Sequence, residues 1–212
     1  MQDKYKTLEE LRATLQENAS YRIICHDHQS WLTVISPHGG LIEGGSSALA
    51  HAIAGRNYNL FDFQGLQREN AQELHVSSTR FREARLNALL SRSVSAISFH
   101  VMGPQNEPIV WLGGLNLTLK EMVLKALRSA GFSVNPDSPL YRGESRKNVV
   151  NLAERFGVQL ELSDELITEL FAGPAFRGDF PVETTKRFKL FTQAISAALH
   201  QYETAKYGQI PA

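Results

Sequence analysis

The sequence has 212 residues, 42% hydrophobic and 21% charged, a length and balance that suit one mid-sized globular domain spanning 1–212. Lysine plus arginine equals aspartate plus glutamate at 22 each, which excludes a global basic footprint for nucleic acid while leaving room for a local basic cleft. The single cysteine, Cys25, excludes an internal disulfide framework and reads as a small core residue. No stretch approaches the roughly 18 consecutive apolar residues of a membrane span. The polar, helix-like start MQDKYKTLEELRATLQEN does not resemble a secretory signal, so the expected location is the cytoplasm, with release by cell lysis as a route outward.

In chain order, residues 7–17 read as a helix with Leu8, Leu11 and Leu15 on one face and Thr7 as N-cap. Strands follow at Tyr21–Cys25 and Trp31–Ile35, joined by polar His26–Ser30, and the second runs into the breaker cluster Ser36-Pro37-His38-Gly39-Gly40. A helix from about Ser46 to Ala54 is closed by Gly55. Tyr58–Phe63 and Leu74–Ser77 read as strands, Phe81–Ser91 as an amphipathic helix, and Val94–Phe99 and Ile109–Leu112 as strands. Thr118 is the expected cap of a helix reaching Ala130, with a short strand at Phe132–Val134. Asn148–Arg155 is expected to be helical, Val158–Leu162 a strand, Asp164–Phe171 a helix capped by Ser163, and Val182 to Tyr202 one long helix. Strands alternating with helices imply an α/β sandwich around a mixed sheet. Asn135–Gly143 is the longest irregular piece, and such loops often carry function.

The densest chemical signal is Ser36–Ser47, where His38 and Glu43 follow a predicted strand and precede a helix, the place where ligand sites gather in open α/β sheets. Zinc accepts imidazole nitrogen and carboxylate oxygen, and a hydrolytic site needs three protein ligands with one position left for water. Glycines at 39, 40, 44 and 45 allow sharp turning, although a glycine-rich turn with an incidental His and a solvated Glu has the same signature. His100 ends the strand Val94–His100. A lone histidine there is more often structural, but beside the first motif it becomes the natural third ligand. Glu161 interrupts an otherwise buried strand, and glutamate is rarely buried without a partner. It is either one half of a salt bridge or a general base facing a metal-activated water.

Taken together, His38–Ser47, Leu74–Ser78, Ile97–His100, Trp111–Gly114, Asn148–Asn151 and Gly157–Leu162 resemble, in the same order, the poly-γ-glutamate hydrolase family of bacteriophages and bacteria. The resemblance covers about residues 20–172. It implies a three-layer α/β/α sandwich with a mixed sheet, similar to zinc carboxypeptidases. It also implies one zinc ion held by His38, Glu43 and His100, with Glu161 as catalytic glutamate. The chain departs from the family at Gly45-Ser46-Ser47-Ala48, where Gly-Thr-Ser-Glu is common, and at Asn151-Leu152, where an arginine is missing. Its His38-x4-Glu43 spacing follows the family rather than the H-x-x-E of carboxypeptidases.

A polyglutamate chain is a polyanion, so arginines are expected along the cleft, since guanidinium grips carboxylate with two parallel hydrogen bonds. Arg80, Arg82 and Arg85 precede and open a helix, while Arg142, Arg146 and Lys147 form a second group beside the long loop. Of these, Arg80, Arg82 and Arg146 are the expected substrate contacts, with His75 as a substrate contact or a support for the ligands. His26, His28, His51 and His200 are expected at the surface or in packing, and the Trp111–Gly114 turn is expected to be architectural. The implied activity is hydrolysis of γ-glutamyl amide bonds. The rivals are a zinc amidase or carboxypeptidase-like enzyme on another γ-glutamyl or acyl-amino-acid bond, and a metal-bearing module that binds an anionic polymer without cutting it.

Overall fold

A computed structural model describes residues 3–175 and 182–207. Seven strands form one mixed sheet: β1 Tyr21–His26, β2 Leu32–Gly40, β3 Asn59–Gly65, β4 Ser95–Gly103, β5 Ile109–Gly113, β6 Ser133–Asn135 and β7 Gly157–Ser163, in the order β1-β3-β2-β4-β7-β5-β6. The inner four, β3-β2-β4-β7, are mutually parallel. At the edges β1 runs antiparallel to β3 and β5 antiparallel to β7, with β6 parallel to β5. Buried on both faces, the inner strands are rich in Val, Ile, Leu and Phe, as parallel strands must be when helices cover both sides.

Side-chain alternation divides each inner strand between two cores. Val34, Leu60, Ile97, Leu160 and Leu162 face one core, built with α2 (Ser46–Ala54), α4 (Leu117–Ser129), α5 (Asp164–Leu170) and α6 (Lys186–Tyr207). Ile35, Phe61, Phe63 and Ala96 face the other, built with α1 (Leu8–Thr14), α3 (Ala84–Leu90) and the 3-10 turns Ala71–Leu74 and Val149–Leu152. The mixed sheet expected from strand-helix alternation and the three-layer α/β/α arrangement implied by the family resemblance are both present. No helix among the described residues is long and apolar enough to cross a membrane.

Several boundaries differ from the sequence expectation for physical reasons. β2 continues past Ile35 to Gly40, because β3 goes on pairing with Gly39 and Gly40 beyond a register shift. Leu74–Ser77 is not a strand. The 3-10 turn ends at Leu74, and the Ser77 amide donates to the Asp3 carboxylate (2.9 Å) rather than to a neighbouring strand. Asn148–Arg155 contains only the short 3-10 turn Val149–Leu152. α3 begins at Ala84 because the Glu83 carboxylate caps it by accepting from the Leu86 amide. α4 is capped by Asn116, not Thr118: Asn116 Oδ1 accepts from the Leu119 amide (3.0 Å), while its amide nitrogen donates to Ser95 and Tyr202. α1 ends at Thr14 and α6 starts at Lys186, each shorter at that end than expected. Thr7 and Ser163 cap α1 and α5 as their spacing implied.

Asp3 ties the N-terminal segment to residues 75–80. Its carboxylate accepts from His75 Nδ1 (2.7 Å), the Ser77 amide (2.9 Å) and Arg80 (2.7 Å). Burial alone would raise its pKa, but these donors and the Arg80 charge hold it below the ordinary 3.8. A carboxylate with a lowered folded pKa contributes stability above its unfolded value and loses it as pH falls through the folded one. D3N therefore destabilises the protein at neutral pH by roughly 1.5–3 kcal/mol, the range for hydrogen bonds to a charged group. Urea titrations at about pH 7 and about pH 2 test this: the gap between wild type and D3N narrows in acid, and an equal gap at both would disprove the assignment.

Candidate metal centre

His38 sits near the carboxyl end of β2, and the chain then folds back so that the Glu43 amide bonds to the His38 carbonyl (2.9 Å). The turn is held from behind by a buried polar cluster. Ser47 Oγ accepts from the Gly40 amide (2.8 Å) and donates to the fully buried Asp62 (2.9 Å), which also accepts from His51 and Gln64. Ser46 Oγ donates to the Glu43 carbonyl (2.7 Å). Position 39 must be glycine for this packing, since an added Cβ would lie 2.2 Å from Asp62 Oδ1. His100 comes from β4, next to β2, and Glu161 from β7, directly opposite His100 in the ladder. Parallel alignment thus brings three strand ends to one point.

There the donor atoms converge. His38 Nδ1 lies 2.8 Å from Glu43 Oε1 and 3.2 Å from His100 Nδ1, which is itself 3.3 Å from Glu43 Oε2. Zinc bonds of roughly 2.0–2.2 Å in a tetrahedral shell separate neighbouring ligand atoms by about 3.3 Å, close to these distances. His38 Nε2 points at the Val76 carbonyl (2.9 Å), an acceptor, so it carries the proton and Nδ1 of the neutral ring offers a bare lone pair. The Nδ1 atoms of His38 and His100 and the Glu43 carboxylate thus face one another across about 3 Å. His100 Nε2 is also buried without a hydrogen-bond partner among the described residues. Lone pairs crowded this closely need a cation or an added proton, and the donor set fits zinc.

The electrostatics follow from burial and proximity. Burial opposes ionisation of Glu43, but His38 and His100 more than compensate and hold its pKa below the carboxylate range. Burial would lower His100, yet Glu161 and Glu43 raise it. Glu161 is pushed up to about 8, mainly by burial and further by Glu43. Its Oε1 accepts from Gln159 Nε2 (2.7 Å), and Gln159 Oε1 accepts from Asn148 (2.9 Å). His75 borders the same cluster. Its ring centroid is 4.0 Å from that of His38 and its Nε2 is 3.9 Å from Glu43 Oε1, so His38, Glu43 and His75 also offer atoms within 4.8 Å of one another. Burial and His38 lower His75 to about 4. The shorter spacings belong to the set with His100.

A cleft of about 850 Å³ opens over the cluster, lined among others by His38, Glu43, His75, His100 and Glu161. None of the three arginines expected at the substrate lines it. Arg80 is committed to Asp3, Arg82 to the carbonyls of Phe81 and Lys147, and Arg146 lies over the Phe156 ring. Charge alone cannot tell an arginine satisfied by its own fold from one left for a ligand. Sequence reasoning also missed Asp3, Gln159 and Asn148. Gln159 had a signal, because it shares a strand face with Glu161 two residues on. Asp3 had none, since 72 residues separate it from His75.

Comparison with known proteins gives the family and the fold. The family profile described as poly-gamma-glutamate hydrolase matches residues 5–194. The SPbeta prophage-derived UPF0714 protein YoqZ of Bacillus subtilis (strain 168) is 34% identical over 173 residues, covering 80% of this chain. The match spans 62% of that relative's length. A bacteriophage poly-gamma-glutamate hydrolase superposes with a TM-score of 0.90 at 28% identity, over 96% of this chain and 100% of that one. A zinc-free apo form of YndL superposes with a TM-score of 0.86 at 27% identity, over 94% and 98% respectively. This chain belongs to the poly-gamma-glutamate hydrolase family.

Proposed function

We propose that the protein is a zinc-dependent hydrolase that cleaves the γ-glutamyl amide bonds of poly-γ-glutamate, with His38, Glu43 and His100 as ligands of one zinc ion and Glu161 as general base. The observation that carries this reading is the meeting of two imidazole nitrogens and a carboxylate at ligand spacing beside a second buried carboxyl group. Three protein ligands leave a coordination position for water, as in hydrolytic rather than structural zinc sites. When bound, the ion would supply Lewis-acid polarisation of a carbonyl and acidification of a water near neutral pH. The family and the bacteriophage relative support the polymer as substrate.

The chain's own groups do the rest. Glu161 combines high proton affinity with a fixed orientation, because Gln159 holds one of its oxygens and the other has no hydrogen-bond partner among the described residues. A carboxylate so placed takes a proton from the attacking water and hands it to the leaving amine. Asp3 accepts from His75 Nδ1, which fixes the tautomer and leaves Nε2 as the nitrogen facing Glu43. Asp62, Ser47 and Gly39 keep the His38–Glu43 turn from relaxing.

Elemental analysis of the purified protein should find one zinc per chain. Stripping it with a chelator should lower the melting temperature and abolish shortening of poly-γ-glutamate, and added zinc should restore both. H38A and H100A should each lose the metal, and full zinc retention by either would remove that residue from the ligand set. E161Q should keep zinc and lower kcat by about 10²- to 10⁴-fold, the usual worth of a general base. An E161Q variant that shortens the polymer at the wild-type rate would rule out this role.

A further inference from the structure

Among the described residues that line the cleft, Arg142 is the sole Lys or Arg, while Glu43, Glu144, Glu161 and Asp164 supply carboxylates. Apart from any metal at the centre, a polyanion in this cleft has one fixed protein cation to meet, Arg142. No hydrogen bond or ion pair among the described residues engages the Arg142 guanidinium, and the residue borders both this cleft and a smaller cavity lined by Lys120, Asp137 and Glu144. The arginines that sequence alone favoured are each tied to a carboxylate, a carbonyl or a ring.

The backbone that carries Arg142 is held firmly. The Arg142 carbonyl accepts from the Gly114 amide (2.8 Å), and position 113 has to be glycine because an added Cβ would lie 2.3 Å from that carbonyl. On either side, Gln159 Nε2 donates to the Tyr141 carbonyl (3.4 Å), and Asn151 donates to the carbonyls of Gly143 (2.6 Å) and Ser145 (2.9 Å). Gln159 also holds Glu161, so one side chain sets both the base and the loop that presents the arginine. Next to Arg142, Leu140 and Tyr141 line the same cleft while 72% and 43% exposed. A pinned backbone, an unpaired guanidinium and adjoining exposed apolar surface together suit an apolar chain that bears carboxylates at intervals. Each γ-linked glutamate unit has that form: two methylenes in the main chain and one α-carboxylate on the carbon that bears the amide nitrogen.

We infer that Arg142 is the specificity-determining residue of the cleft, binding an α-carboxylate of the γ-glutamyl chain while Leu140 and Tyr141 cover its methylenes. This rests on the hydrolase reading above and names how that site recognises its substrate. A guanidinium takes the carboxylate through two parallel hydrogen bonds, whereas a lysine offers only a point charge.

The test compares zinc-loaded wild type, R142A and R142K on poly-γ-glutamate of defined length and on the same polymer with its α-carboxylates esterified. R142A should raise KM for the free polymer on the order of tenfold or more, with kcat changing less than KM, and R142K should recover part of the loss. Wild type should prefer the free over the esterified polymer, and R142A should lose that preference. An R142A enzyme with the wild-type KM, or one that still discriminates between the polymers, would overturn the assignment while leaving hydrolysis intact. If wild type shortens neither polymer, the hydrolase reading fails. Calorimetric binding of the uncut polymer to wild type and R142A then decides the role of Arg142 separately, equal affinities counting against it.

Discussion

The structure is organised around the close approach of His38 Nδ1, His100 Nδ1 and the Glu43 carboxylate, none more than 3.3 Å from its nearest neighbour in the set. Lone pairs held this close repel one another unless a positive charge sits among them. The fold leaves neither imidazole free to turn away. His38 is locked by the proton it gives to the Val76 carbonyl, and His100 is 3% exposed in a central strand. The crowding is therefore fixed by the fold, and a cation or an added proton relieves it.

Holding such a cluster together requires stiffness behind it. The four parallel strands provide the coarse placement, because their carboxyl ends terminate along one edge of the sheet. The fine placement comes from a second polar layer in which Asp62, Ser47 and Ser46 clamp the turn between His38 and Glu43. Every member of that layer has a hydrogen-bond partner, the condition under which a buried polar network rigidifies rather than destabilises.

The two carboxyl groups of the centre have opposite proton affinities for environmental reasons. Glu43 lies between two histidines and is held ionised, whereas Glu161 is buried with Glu43 nearby and is pushed up to about 8. Carboxyl groups driven apart in this way suit different tasks, one permanently charged and one able to hold a proton near neutral pH. Gln159 connects Glu161 to Asn148 and to the loop bearing Arg142, so Glu161 and the cleft wall share one support.

The sequence by itself determined the alternation of most strands and helices, the caps at Thr7 and Ser163, and the His38–Glu43 motif. All of these rest on local periodicity, on capping chemistry, or on a motif compact enough to be read in one dimension. Only the tertiary structure decided which cations stay free. Arg80 finds Asp3 from the far end of the chain, Arg82 finds the Lys147 carbonyl, and Arg142 finds no hydrogen-bond or ion-pair partner among the described residues. It likewise decided that residues 74–77 form no strand, because their hydrogen-bond partner is a carboxylate more than 70 positions away. Partners across such distances are chosen by the packing of the whole chain, and no window of the sequence contains them.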